Sequence, residues 1–322
     1  MIARPLALLL LAIVLAEALA PFVDWLARRL PRPLAIGVVY LAVLLIFALI
    51  GWIVVPGLLA QAQAIVDAAP TMIADARRWI DRFGFVSSDQ IQRLLLARVG
   101  QLGGQLVSLP ITFFSSAFEI IVVIFLSVYW LIAAPATERF ALSLCPAAQR
   151  EACGDVLRGM GRSMGGYIRG TVLNAVIIGG LAYIGYRVIG LQYPLVLALV
   201  AGMLEVVPVL GPILAGGLTT LLALTDSFQK ATIVLVFWIA LEQLEGHVVT
   251  PNVMRSQTDV PQLLVLLGLL IGGSIGGILG ALVAIPLAGA LHVLVLHALA
   301  PALRRGLLLL TGDAPREGRH TG

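Results

Sequence analysis

Charge is scarce in this chain: Asp, Glu, Lys and Arg make up only 12% of it, about half the usual share of a globular domain. Hydrophobic residues make up 60%, and the mean hydropathy is +1.02. That balance excludes a string of soluble domains and predicts a single polytopic membrane unit in 322 residues. The formal net charge is +4, but the arginines fall in loops between apolar runs. They read as topology signals and exclude a nucleic-acid-binding face. Lysine occurs once, as Lys230, at a helix start where its stem can snorkel toward water. Cysteine occurs twice, as Cys145 and Cys153. With no third or fourth ligand nearby they make no metal site, and in a basic, cytoplasm-type segment they are expected as separate reduced thiols. Metalloprotease, P-loop and dinucleotide fingerprints are all missing, so neither a cofactor nor a metal is expected.

What fills the chain instead is apolar runs of membrane length. Spans are predicted over about 6–26, 34–55, 111–133, 171–189, 231–249 and 278–299, each near the roughly 20 helical residues that cross a hydrocarbon core. Together with the interrupted segments below, they define an all-α polytopic fold of about seven crossings. Residues 1–57 hold the first two spans. Over 58–108 apolar residues recur every three to four positions, as at Leu59, Ala62, Ile65, Ala69, Ile73 and Ala76, with Asp67, Asp75, Arg78 and Asp81 between them. That period predicts an amphipathic extramembrane helical hairpin, packed on the membrane surface or serving as a subunit-contact arm. Residues 109–303 form a transmembrane core that includes a polar, basic helical segment at 134–170, and 304–322 reads as a disordered tail.

The most telling stretch is 194–225. Two apolar half-spans, Pro194–Leu204 and 213–224, meet at Glu205-Val206-Val207-Pro208-Val209-Leu210-Gly211-Pro212. Neither arm is long enough to cross alone, and broken backbone at membrane depth survives only where protein or a wet cavity satisfies its polar groups. Interrupted helices carrying an acid point to a transport site. Glu205, Pro208, Gly211 and Pro212 are therefore candidate pathway residues, the alternative being that Glu205 only caps amides freed by the break. A second cluster is Glu242, Glu245 and His247. Residues three apart share a helical face, so Glu242 and Glu245 are expected to pair, with His247 as a relay; the alternative is that the span has reached water there. Glu17, Glu119 and Asn174 also lie in apolar runs, lining a cavity or pairing within a subunit or across an oligomer contact.

A third candidate is the run Gly272, Gly273, Gly276 and Gly277, which breaks the short apolar segment 262–271 from the last span. Small residues four apart allow close helix packing or a hinge. The same run matches the G-x-S-x-G pattern at Ser274, but that motif works on a strand-to-helix elbow and no strand precedes it. His292 lies too far along a continuous helix to reach that hydroxyl, so no enzyme is expected.

Loop charges give the orientation. Arg28, Arg29 and Arg32, the arginines from Arg139 to Arg169, and Arg304 to Arg319 belong on one, cytoplasmic, side. The first span then enters from outside, with only Met1-Ile2-Ala3-Arg4 before it and Arg4 on the wrong side. A truncated start or a missing upstream span is the expectation.

Taken in order, Pro21-Phe22-Val23-Asp24-Trp25-Leu26, Arg28-Arg29-Leu30-Pro31-Arg32, Glu205 to Pro212, Glu245-Gly246-His247-Val248-Val249-Thr250-Pro251, the glycine run and Ala284-Ile285-Pro286-Leu287 resemble the autoinducer-2 exporter family of bacterial inner-membrane proteins. The resemblance covers nearly the whole chain apart from the family's first helix. It implies a multispan transporter in the bacterial inner membrane, exporting a signal molecule or exchanging sodium for protons, and a homo-oligomer, possibly a pentamer. His247 stands where the family more often has Asn, and Glu17 occupies a slot usually apolar or aromatic. The functional expectation is a secondary transporter that moves a small polar solute by alternating access. A sodium or lithium/proton antiporter and a non-transporting membrane scaffold are the alternatives. Expected partners are the lipid bilayer and a small polar solute, monovalent cation or proton.

Overall fold

The computed structural model describes residues 3–83, 117–255 and 262–299, and every regular element among them is helical. In chain order these are α1 (Ala3–Leu26), α2 (Arg32–Phe83), α3 (Ala117–Ser143), α4 (Arg150–Ile189), α5 (Pro194–Leu204), α6 (Leu210–Asp226), α7 (Phe228–Leu244), α8 (Thr250–Arg255) and α9 (Gln262–Leu294). A five-residue π-helical segment, Glu245–Val249, joins α7 to α8. Among the described residues, six helices are long and apolar enough to cross a membrane. The remaining apolar length lies in three shorter helices, Pro194–Leu204, Leu210–Asp226 and Leu263–Gly277. The chain is a polytopic helical membrane protein.

Several boundaries differ from those the sequence predicts, each for a local reason. The amphipathic stretch from Leu58 is not a separate arm at its start, because α2 runs unbroken from the second span through Pro56 to Phe83. Helical periodicity simply changes from all-round apolar to one-sided without a breaker strong enough to stop the helix. The rest of that predicted hairpin, 84–108, and the predicted tail, 304–322, lie outside the described residues. Likewise α3 passes Pro135 and ends at Ser143. A turn and a single 3-10 turn at Ala147–Gln149 then lead into α4, which joins the polar segment and the fourth span in one helix. Cys145 and Cys153 flank that 3-10 turn and are disulfide-bonded, their Cα atoms 6.8 Å apart. They are partners, not the separate thiols expected, because the turn folds the chain back within side-chain reach. After the fifth span the expected polar connector at 250–260 begins as helix α8.

The helices group into two compact units. One comprises 1–28, 126–168 and 257–322; the other comprises 29–125 and 169–256. In the first, α1 packs along α9. Glu17, mid-way along α1, accepts a hydrogen bond from the Trp130 indole at 3.2 Å. Gly161 and Gly165 of α4 lie against that turn of α1, where a Cβ at either would overlap Glu17. Of the two roles open to Glu17, pairing between helices is the one seen. Exposed Arg158 bridges Glu138 at 3.1 Å and Asp155 at 2.9 Å.

Helix α9 is two arms folded back at Gly277, whose φ of 60° and ψ of −142° are accessible only to glycine. Gly272 meets Gly280 and Ala284, and Gly268 meets Ala284 and Ala288, the register of an antiparallel pair. Gly272 and Gly280 thus serve close packing, each backbone lying where the other's side chain would be. Gly273 and Gly276 have no such contact closer than 4.0 Å.

In the second unit α5 and α6 form a hairpin against which α2 and α7 pack. Its core includes Ile178, Ala182 and Tyr186 from α4, Leu197 and Ala201 from α5, Ala215 from α6, and Val234 and Trp238 from α7. Helix α4 ends in a Schellman motif at Gly190 (φ 77°), with the Leu191 amide donating to Tyr186 O and the Gly190 amide to Arg187 O. Helix α7 starts at Ser227, whose hydroxyl accepts from the Lys230 amide at 3.2 Å.

Candidate functional site

The break between α5 and α6 falls at the predicted residues, and most of its amides bond within it. Pro194 opens α5 at a position where a missing N–H costs nothing. At the other end, the Val207 amide donates to Leu204 O at 2.9 Å, Leu210 to Pro208 O at 2.8 Å and Gly211 to Val207 O at 2.8 Å. The Leu210–Pro208 bond closes a three-residue turn around Val209, with φ of 68° and ψ of −51°. That is the rare, strained form of γ-turn, held here by a β-branched residue for which positive φ is a genuine outlier. Gly211 follows because a Cβ there would overlap the Leu204 carbonyl. Pro212 lies in the first turn of α6, where proline is tolerated, and its carbonyl accepts the Trp238 indole N–H at 3.0 Å. Gly216 makes room for that ring.

The Glu205 carboxylate takes no part in those bonds and does not cap the break. It turns elsewhere. Glu205, only 6% exposed, accepts a hydrogen bond on Oε1 from the Asn174 side-chain amide at 3.3 Å. The same Asn174 Nδ2 donates to Glu245 Oε1 at 2.9 Å, and the Thr250 hydroxyl donates to Glu245 Oε1 at 3.4 Å. Glu242 is half-buried one helical turn before Glu245. The contact the structure shows for Glu245 is therefore with Glu205, through the Asn174 amide that bridges them.

The π-helical segment begins at Glu245. An extra residue in a helical turn re-aims the side chains beside it, and such segments gather at functional sites. Here it coincides with the residue whose carboxylate reaches both Asn174 and Thr250. His247 does not follow. Its ring is exposed and lies against its own helix, Nδ1 being 2.9 Å from Gln243 O.

The donor count of the cluster is unbalanced. Asn174 Oδ1, Glu205 Oε2 and Glu245 Oε2 are buried acceptor atoms without a hydrogen-bond donor among the described residues. The Thr171 hydroxyl, one helical turn from Asn174, is likewise buried and unpartnered. Buried polar atoms are normally paired, and leaving one unpaired costs about 1–3 kcal/mol, more when charged. Three oxygens in that state on one cluster create a local demand for positive charge or a donated proton. Among the described residues no group of three or more His, Cys, Asp or Glu side chains has the arrangement of a metal site.

The remaining predicted residues stand apart in sequence and chemistry. Gly272, Gly273, Gly276 and Gly277 belong to the folded arms of α9 in the first unit. Ser274 lies on a helical arm with its hydroxyl donated to Ile271 O at 2.8 Å, the usual back-bond of a helical serine and no nucleophile elbow. Asn174 was named in the sequence only as one polar residue among several. Its position in an apolar run was the available signal; its role as a bridge was not.

Comparison with known proteins bears on most of the length. The profile described as AI-2E family transporter matches residues 1–300. YrrI of Bacillus subtilis, named a candidate transport protein, is 28% identical over 307 residues, covering 90% of this chain and 85% of its own. MT0215 of Mycobacterium tuberculosis, named likewise, is 30% identical over 294 residues, covering 86% and 78%. YueF of Bacillus subtilis is 26% identical over 294 residues, covering 86% and 80%.

Proposed function

This chain belongs to the AI-2E family of membrane transporters, and from that premise we propose that it is a secondary transporter working by alternating access around Glu205. The observation that carries the reading is the Asn174 amide shared between two buried carboxylates whose outer oxygens have no donor. A fixed network would have been completed by another donor, since an incomplete polar cluster is costly in a low-dielectric interior. An incomplete one is suited to taking up and releasing a positively charged or proton-donating species, and a strained break beside it offers a place to move. Glu205 and Glu245 are the groups we assign to that exchange. Glu242 sets the field around them, and Pro208, Gly211 and Pro212 shape the break. We assign the Gly277 fold, with Gly272, Gly273 and Gly276, to flexing of the second interrupted helix. No nucleotide-binding motif is present in the sequence, so the driving force is an ion gradient, a tethered partner or the solute's own gradient. The cargo is a small polar solute, the location the bacterial inner membrane, and the working form a homo-oligomer.

Cation/proton exchange is the second reading, favoured by one specific feature: the unpartnered atoms of the cluster are acceptors, which suits sodium or lithium and protons better than a solute with its own acceptors. Reconstituted vesicles decide between them. Glu205→Gln is expected to reduce flux at least tenfold while leaving the purified protein folded and its assembly unchanged; wild-type flux in that variant removes Glu205 from the mechanism. Sodium-driven proton movement without any added solute selects the second reading.

A further inference from the structure

Between α4 and α7 lies an open groove of about 460 Å³ in which every lining residue is apolar, among them Leu181, Ile184 and Val188 from α4 and Ile233, Phe237 and Leu244 from α7. Its size is that of ordinary ligand pockets, roughly 300–1,000 Å³, but it offers no hydrogen-bonding group to orient a polar solute. From Ile233 to Leu244 a helix rises about 16 Å, close to half of the roughly 30 Å hydrocarbon core. The groove is therefore as deep as one leaflet.

Its upper end is marked by polar and aromatic groups. Lys230, one turn before Ile233, donates to Gly190 O at 3.1 Å and pairs with Asp226 at 2.9 Å, tying the end of α4 to the start of α7. Tyr193, 48% exposed, sits where the interfacial aromatic belt is expected. Arg187 lies in the last turn of α4 beside Val188, is exposed, and has no hydrogen bond or ion pair among the described residues. With the Lys230 charge already matched by Asp226, Arg187 is an exposed cation without a counter-ion among the described residues, on the turn of α4 that also supplies the lining residue Val188.

We propose that this groove seats one acyl chain of a phospholipid in the leaflet at the C-terminal end of α4, with Arg187 contacting its phosphate. Apolar lining selects the chain, its depth selects a single leaflet, and the guanidinium selects an anionic oxygen group. The contacts lie wholly on α4 and α7, so a lipid there braces the helices that carry Asn174 and lead to Glu245.

The test is native mass spectrometry of the full-length protein released from vesicles of phosphatidylglycerol or phosphatidylethanolamine. Wild type is expected to retain phospholipid, with phosphatidylglycerol favoured. Ala240→Trp, which fills the groove from an exposed lining position, is expected to lose it at least fivefold. Arg187→Gln, a surface change that leaves the packing intact, is expected to lower phosphatidylglycerol retention about fivefold, the effect of one basic residue near a charged membrane surface. Equal retention by wild type and both variants overturns the proposal. So does efficient cross-linking between copies through Ile184→Cys, made with Cys145→Ser and Cys153→Ser, which would give the groove to a second chain. Loss of flux in Ala240→Trp with retention unchanged would give it to the transported solute and equally overturn the proposal.

Discussion

Two helix breaks among the described residues, at 205–212 and at 272–280, are built from opposite materials. At 205–212 the break contains an acid, two prolines and a valine forced to positive φ. At 272–280 it contains glycines, and the backbone folds at Gly277 without side-chain cost. The first leaves buried oxygens unpaired next to it; the second closes by backbone laid against backbone, Gly272 on Gly280. Equal departures from helix thus need not mean equal chemistry. A break carries function when it brings polar groups into low dielectric and leaves them unfinished, and the proline break alone does so among the described residues of these two segments.

Substitutions can break or sharpen that contrast. The largest effect is expected at Gly211, where the Cβ of Gly211→Ala runs into the Leu204 carbonyl. Displacing backbone in a packed hairpin should cost more than about 3 kcal/mol, seen as loss of monodisperse protein in detergent. Next comes Asn174→Leu, which strips the donor from two buried carboxylates; about 2–3 kcal/mol of stability should be lost in thermal unfolding, and Asn174→Gln should restore part of it. A smaller change of opposite sign is expected at Val209→Gly. Relief of the positive φ, worth about 1–3 kcal/mol, exceeds the chain-entropy penalty of about 0.4–1 kcal/mol, so the variant should melt higher. If it also transports more slowly, the strain belongs to the moving part. The least effect belongs to Gly276→Ala in the glycine break, where a Cβ meets nothing within 4 Å. A stability change above about 0.5 kcal/mol there would show that the second break is less simple than its packing implies.

Much of this was legible in the residues. The arm Pro194–Leu204 begins where the sequence places it, since a proline in the first helical turn gives up no hydrogen bond and has its φ already set for helix. The fold at Gly277 falls within the predicted run for a similarly local reason. Asn174 as bridge was not legible, because Asn174 and Glu205 are 31 positions apart and Asn174 and Glu245 are 71 apart. Helical spacing suggested Glu242 as the neighbour of Glu245, but the hydrogen bonds of Glu245 go to Asn174 and Thr250, which spacing along one helix does not indicate. His247, equally near in sequence, turned outward to Gln243 O instead. Continuity of α2 past Pro56 was missed because a fading apolar run resembles a helix end when only composition is weighed.

Taken alone, the sequence determined that the chain is helical, crosses a membrane repeatedly and breaks two of its helices, along with the family to which it belongs. Run length against bilayer thickness and the backbone limits of proline and glycine are properties of neighbouring residues. Only the tertiary structure decided which polar groups meet. Three helix segments must pack before Asn174 can face both Glu205 and Glu245, and a π turn sits at the point where the second acid is aimed inward. Distance in space between remote residues depends on the packing of whole helices, and no local rule contains it.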